Sequence, residues 1–349
     1  MPDGLARAVI AALRLARGEP VGALDEAEWS RVFDVSARER CAGLAWLRSA
    51  ETIRAAAPAT IARAWRTSVL LSEHRVQAHL EAARRALAAL GAAGIESTVL
   101  KGPPLAQRLY GDVAARPVDD IDLFVAECAR ADAHRVLTRD GWRCESGVPP
   151  WHERWERGTT EEMLVLEVHS HLTCDNLAHL HLPPPERVCI DIGGHAYIAA
   201  GGDVVPVYLA GHLAQHELTP LLWFLDYGAL WQSMTVAERD RATALARRVR
   251  MGRCLDWALD RVAALDRAAA GDESALALFG YRNGARSDVH ALRRLLRLAE
   301  RVDDAAHLIG VWAWPRAARA AGRSPLALFR ARARKMLRGR APISRSYSQ

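Results

Sequence analysis

Several things are scarce in this chain of 349 residues, and each scarcity removes a class of explanation. No apolar run approaches the ~20 residues that cross a bilayer, and Arg7, Arg14 and Arg17 interrupt the apolar N-terminal stretch. The expectation is a cytoplasmic chain. The six cysteines, Cys41, Cys128, Cys144, Cys174, Cys189 and Cys254, include no C-x-x-C pair. Their scatter argues against a disulfide framework or a structural zinc site and for buried free thiols. Lysine is almost absent: Lys101 and Lys335 stand against 45 arginines. Acidic residues stop at Asp304, after which ten Lys or Arg follow. The net charge of +6 therefore belongs to the tail, and attraction to RNA or another polyanion should be localised there.

What is present suggests an α+β chain. Helical spacing of apolar residues marks 3–17, 24–33, 37–49 (after a Ser36 cap) and a long stretch over 58–90. These define an N-terminal helical subdomain, 1–93. Residues 94–207 alternate strands and helices and form the core. Within it, 127–139 reads as a helix and 142–145 as a strand. Residues 152–157 and 162–169 read as paired strands, and 197–199 with 204–207 as a hairpin around Gly201-Gly202-Asp203. Residues 208–340 are helical, with at least three amphipathic helices over 236–301 and a basic one over 326–340. The last nine residues, 341–349, should fray.

The most informative stretch is 95–125. Residues 95–100 read as a buried strand, Lys101-Gly102 as a turn, and 103–110 as a helix with two prolines in its first turn. A glycine turn at a helix N-terminus offers amides and a dipole to a phosphate. A second strand, 119–125, follows. Period-two alternation places Asp120 and Asp122 on one face, where two carboxylates call for a cation such as Mg²⁺ or Mn²⁺. Alternation likewise aligns Glu167, His169 and His171.

Leu100-Lys101-Gly102, Leu105-Ala106, Leu109-Tyr110, Arg116 and Asp120-Ile121-Asp122-Leu123 together resemble a nucleotidyltransferase family within the polymerase-beta-like superfamily. The resemblance extends more weakly to about Trp231. It implies a mixed sheet flanked by helices and an NTP co-substrate. It also implies a carboxylate trio of Asp120, Asp122 and Glu167 holding divalent metal. Lys101, Gly102, Arg116 and His169 would lie against the nucleotide phosphates, and His216 and Asp226 would support the site. The implied reaction moves a nucleoside monophosphate to an acceptor hydroxyl on a small molecule, peptide or RNA. Two alternatives stay open. Pro103 and Pro104 remove backbone donors, which suits a degenerate nucleotide-binding module, and Glu167, His169, His171 and His216 suit a zinc or manganese hydrolase.

Overall fold

The computed structural model describes residues 3–145, 152–159, 163–172, 180–215 and 220–279, with 296, 298–301, 303 and 304. The chain opens with four helices, α1 (Asp3–Arg17), α2 (Glu26–Arg38), α3 (Ala42–Ala56) and α4 (Ala59–Ala92). Asp25 and Glu28 start α2 with a reciprocal capping box. Ser36, expected to cap the next helix, instead lies inside α2, where its buried hydroxyl donates to the Val32 carbonyl at 2.8 Å. The apolar stripe of Trp29, Val32 and Val35 carries the helix through that point, and packing overrides the local cap signal.

The sheet contains β1 (Ser97–Val99), β2 (Ile121–Val125), β3 (Arg143–Cys144), β4 (His152–Arg157), β5 (Leu164–His169), β6 (Glu186–Ile192) and β7 (His195–Gly201). Its order is β3-β4-β5-β2-β1-β7-β6. β1 runs antiparallel to β2 and parallel to β7, and β2 runs parallel to β5, so the sheet is mixed. Between β1 and β2 lies α5 (Pro103–Tyr110), and α6 (Arg130–Arg139) follows β2. The fold is α+β, a seven-stranded mixed sheet flanked by helices.

The hairpin expected around Gly201-Gly202-Asp203 is one connection late. β6 and β7 pair around Gly193 and Gly194, both at positive φ, and residues from Val204 form α7 (Val204–Gln215). A short, wholly apolar run does not distinguish a buried strand from a buried helix, and Pro206 falls in the first turn, where its missing N–H costs little. α8 (Leu221–Ser233), α9 (Val236–Arg248) and α10 (Gly252–Ala269) follow, with a 3-10 helix over Glu273–Phe279 after them. A helix over 326–340 and the frayed tail lie outside the described residues. No helix among those described is long and apolar enough to cross a membrane.

Two cores result. One lies between the sheet, α4 and α6, around Leu90, Leu123, Leu137, Trp155 and Leu166. The other joins the N-terminal helices to the helices after the sheet: Val9, Leu13, Trp29 and Trp65 pack in the same cluster as Leu213, Leu222, Tyr227 and Leu265. Polar contacts reinforce it. Arg14 Nε donates to the Ala269 carbonyl at 2.8 Å, and Glu39 accepts from the Leu221 amide at 3.3 Å, capping the start of α8. The same cluster takes in Leu100 and Ala115, neighbours in the chain of Lys101 and Arg116, and Leu105.

Candidate active site

β1 and β2 pair so that the Leu100 amide donates to the Asp122 carbonyl at 2.9 Å, and the chain turns away immediately afterwards. Gly102 makes the turn at φ +81° and ψ −133°, a conformation that residues with a Cβ avoid. α5 then starts with Pro103 and Pro104, so Leu105 carries the first helical amide that retains a proton. Fewer amides face a phosphate here than at an ordinary helix start.

Asp122 lies beside Glu167 in the parallel β2–β5 register, and Asp120 sits two residues earlier. One carboxylate oxygen from each of the three lies within 4.8 Å of the others. The strand starts at Ile121 rather than at 119, so Asp122 and Glu167 meet through strand register while Asp120 joins them from the position just before the strand. Lys101 faces them. Its Nζ is 2.6 Å from Asp122 Oδ2 and 3.9 Å from Asp120 Oδ1, and both Lys101 and Asp122 are buried. Burial by itself would lower the Lys101 pKa, but the charges of Asp120 and Asp122 outweigh it and hold the ammonium above its usual range. Asp122 goes the opposite way from what burial favours, because Lys101 and His169 keep it ionised well below the usual carboxylate range. Asp120 is raised by burial and by the neighbouring Asp122 and Glu167 charges, which Lys101 only partly offsets. A surplus of negative charge thus remains on the trio.

Imidazoles line the other side. His169 Nε2 is 3.0 Å from Asp122 Oδ1, and His152 Nε2 is 3.2 Å from Glu167 Oε2. The two rings stack at 4.7 Å between centroids and 7° between planes. Glu167 is pushed up by burial, yet the contacts from His152 and His169 bring it below the normal glutamate value. Arg154 Nη1 approaches Glu167 Oε1 at 3.5 Å. His152 and Arg154 escaped the sequence reading. Both strands were recognisable, but only their register, which pairs His152 with His169 and Arg154 with Glu167, reveals the contact.

Arg116 and Asp226 meet at 2.9 Å as a buried pair, and Tyr110 donates to the other Asp226 oxygen at 2.7 Å. Arg116 Nε is therefore directed at α8, while its charge still acts on Asp120 and Asp122. The cavity lined by Lys101, Arg116, Trp223, Asp226 and Tyr227 holds about 20 Å³, room for one water rather than a nucleobase. His171 turns toward Glu127, at 4.0 Å, instead of joining Glu167 and His169. His216 lies outside the described residues. The thiols also depart from expectation: Cys41 and Cys254 are buried, whereas Cys128, Cys144 and Cys189 are exposed.

A family model described as an uncharacterised nucleotidyltransferase matches residues 25–265, more than half of the chain. No curated protein and no solved structure matches it.

Proposed function

Because this chain belongs to that uncharacterised nucleotidyltransferase family, we propose that it transfers a nucleoside monophosphate from an NTP to an acceptor hydroxyl at Asp120, Asp122 and Glu167. The observation that carries this reading is the convergence of those three carboxylates within 4.8 Å: Asp122 and Glu167 face each other across two parallel strands, and Asp120 immediately precedes the first of them. The donor set fits a hard divalent cation: the oxygens are close, Arg116 is paired with Asp226 and Arg154 is shared with Glu145 and Glu156, so among the described residues Lys101 is the one nearby cation given over to the trio and leaves it net negative. Mg²⁺ or Mn²⁺ held by Asp120, Asp122 and Glu167 would polarise the α-phosphate and shield the triphosphate charge.

The remaining roles fall to the chain itself. Gly102 lets the backbone approach the triphosphate closely, and Lys101 and Arg116 supply positive charge beneath it. His169 and His152 each hold one carboxylate oxygen, which fixes the direction of the other. Asp122 and Glu167, side by side, orient the attacking hydroxyl in line with the α-phosphorus. Glu167 takes the hydroxyl proton as the acceptor oxygen bonds to that phosphorus, the bond from phosphorus to the α–β bridging oxygen breaks, and pyrophosphate leaves. Tyr110 and Asp226 are supporting groups that hold Arg116. The basic residues after Asp304, outside the described residues, make a polyanion such as RNA the first acceptor to try.

The test is incubation with each α-labelled NTP, Mg²⁺ or Mn²⁺ and a cell extract, comparing the native chain with Asp120→Asn. Label should enter one acceptor fraction with the native chain and fall by orders of magnitude in the variant, its fold unchanged. Equal labelling by both proteins would reject the assignment. NTP binding with no transfer to any fraction would favour a binding module.

A further inference from the structure

β4 has two working faces. His152 and Arg154 approach Glu167, while Glu153 and Trp155 alternate to the opposite side, beneath α6. On that opposite side His134 of α6, Cys144 of β3 and Glu153 of β4 each place one donor atom within 4.8 Å of the others. The grouping follows from strand geometry. Cys144 is the cross-strand partner of Trp155, and Glu153 stands two positions before Trp155, so all three share one face. His134 reaches down from the helix, its ring edge-on to Trp155 at 4.7 Å and its Nδ1 3.3 Å from Glu153 Oε2. Trp155 Nε1 donates to that same oxygen at 3.2 Å and fixes the carboxylate.

We propose that His134, Cys144 and Glu153 form a zinc site, separate from the carboxylate trio, that ties α6 to the outer edge of the sheet. The mixture of thiol, imidazole and carboxylate suits Zn²⁺ and is unlike the oxygen-only sets that hold Mg²⁺. Donors at ~2.0–2.3 Å from a tetrahedral ion stand roughly 3.3–3.8 Å apart, so closure needs side-chain shifts of about 1 Å. His134 has the room for them, with 46% of its side chain exposed. Thiolate and carboxylate together balance the ion's charge, and the thiol proton is released on binding. A fourth position stays open to water.

Spacing along the chain does not disclose this site, because its donors come from three elements that only the fold brings together. Its position explains its use. β3 is two residues long and lies at the sheet edge, and its neighbour β4 carries the groups that hold Glu167. An ion on one face of β4 would steady the strand whose other face positions the third carboxylate.

The test uses the untagged full chain, stripped of metal and titrated with Co²⁺. One equivalent should produce a thiolate-to-cobalt charge-transfer band that Zn²⁺ abolishes. The band should vanish in Cys144→Ser, weaken in His134→Ala, and persist in Asp120→Asn. Zn²⁺ should raise the Tm of the native chain and leave that of Cys144→Ser unchanged, with circular dichroism confirming that all three variants fold. Absence of the band from the native chain, or its survival in Cys144→Ser, would overturn the proposal.

Discussion

Lys101 is one of two lysines among 47 basic residues, and it is buried against two aspartates. A compact ammonium fits a space that a guanidinium fork would not. Replacing it by methionine leaves Asp122 ionised, buried and held by His169 alone, a loss on the order of 3–5 kcal/mol. The Tm of Lys101→Met should fall by several degrees, and millimolar Mg²⁺ should restore more of it than the same addition gives the native chain. Identical Tm values without metal would refute this account of Lys101. The two buried thiols make a second prediction at this scale. Burial pushes Cys41 and Cys254 up to about 12, from an unfolded value near ~8.5. Their folded values are raised, so the stability they contribute is complete below pH ~8.5 and is lost as pH rises toward about 12. Tyr110 and Tyr227, also raised by burial, act in the same direction. Urea midpoints measured from pH 8 to 11 should therefore fall, and less steeply in the Cys41→Ala, Cys254→Ala double variant. Parallel slopes would count against the thiols.

α3 meets the 3-10 turn Val113–Ala115, just before Arg116, through Gly43. A Cβ there would collide with the carbonyl oxygen of Ala114 and press on Ala115, backbone atoms that cannot swing aside. Gly43→Ala should cost about 1–3 kcal/mol and displace the segment leading into β2, lowering both Tm and transfer rate. A native Tm and rate would show that the contact has slack. Such contacts mark the limit of what sequence reveals. The 103–110 helix and the 152–157 strand were legible because their signals are local: prolines in a first turn, and a short run bounded by turn residues. Asp120, Asp122 and Glu167 were readable as a group for a similar reason, since alternation is a property of each stretch alone, although Asp120 stands just before β2 rather than in it. The hairpin at Gly193-Gly194 was missed because an apolar run fits two periodicities, and Ser36 because tertiary packing outvoted a cap. His152 beside Glu167, and Cys144 beside His134, depend on register and on helix placement. No local pattern encodes those.

At the scale of the whole molecule, the shared core makes the first helix depend on α10, far along the chain. α1 packs with Leu265 and Ala268 in one cluster, Arg17 Nη1 pairs with Asp266 at 2.6 Å, and Arg14 reaches Ala269. A chain ending at residue 251 lacks α10 and should leave that apolar surface uncovered. Strong binding of a hydrophobic dye and aggregation at micromolar concentration are the expected results. A monomeric, dye-silent product would mean that the sheet and its own helices suffice. The same arrangement governs birth on the ribosome. The Arg14 and Ala269 partners are 255 positions apart, so at ~5–20 residues per second the nascent α1 waits on the order of ten to fifty seconds for its partner to emerge. During that interval Val9, Leu13 and Leu15, fully buried in the finished protein, have nothing from α10 to lie against. Slowing translation late in the message lengthens the wait, and a chaperone that shields apolar helices is the agent that would make it safe.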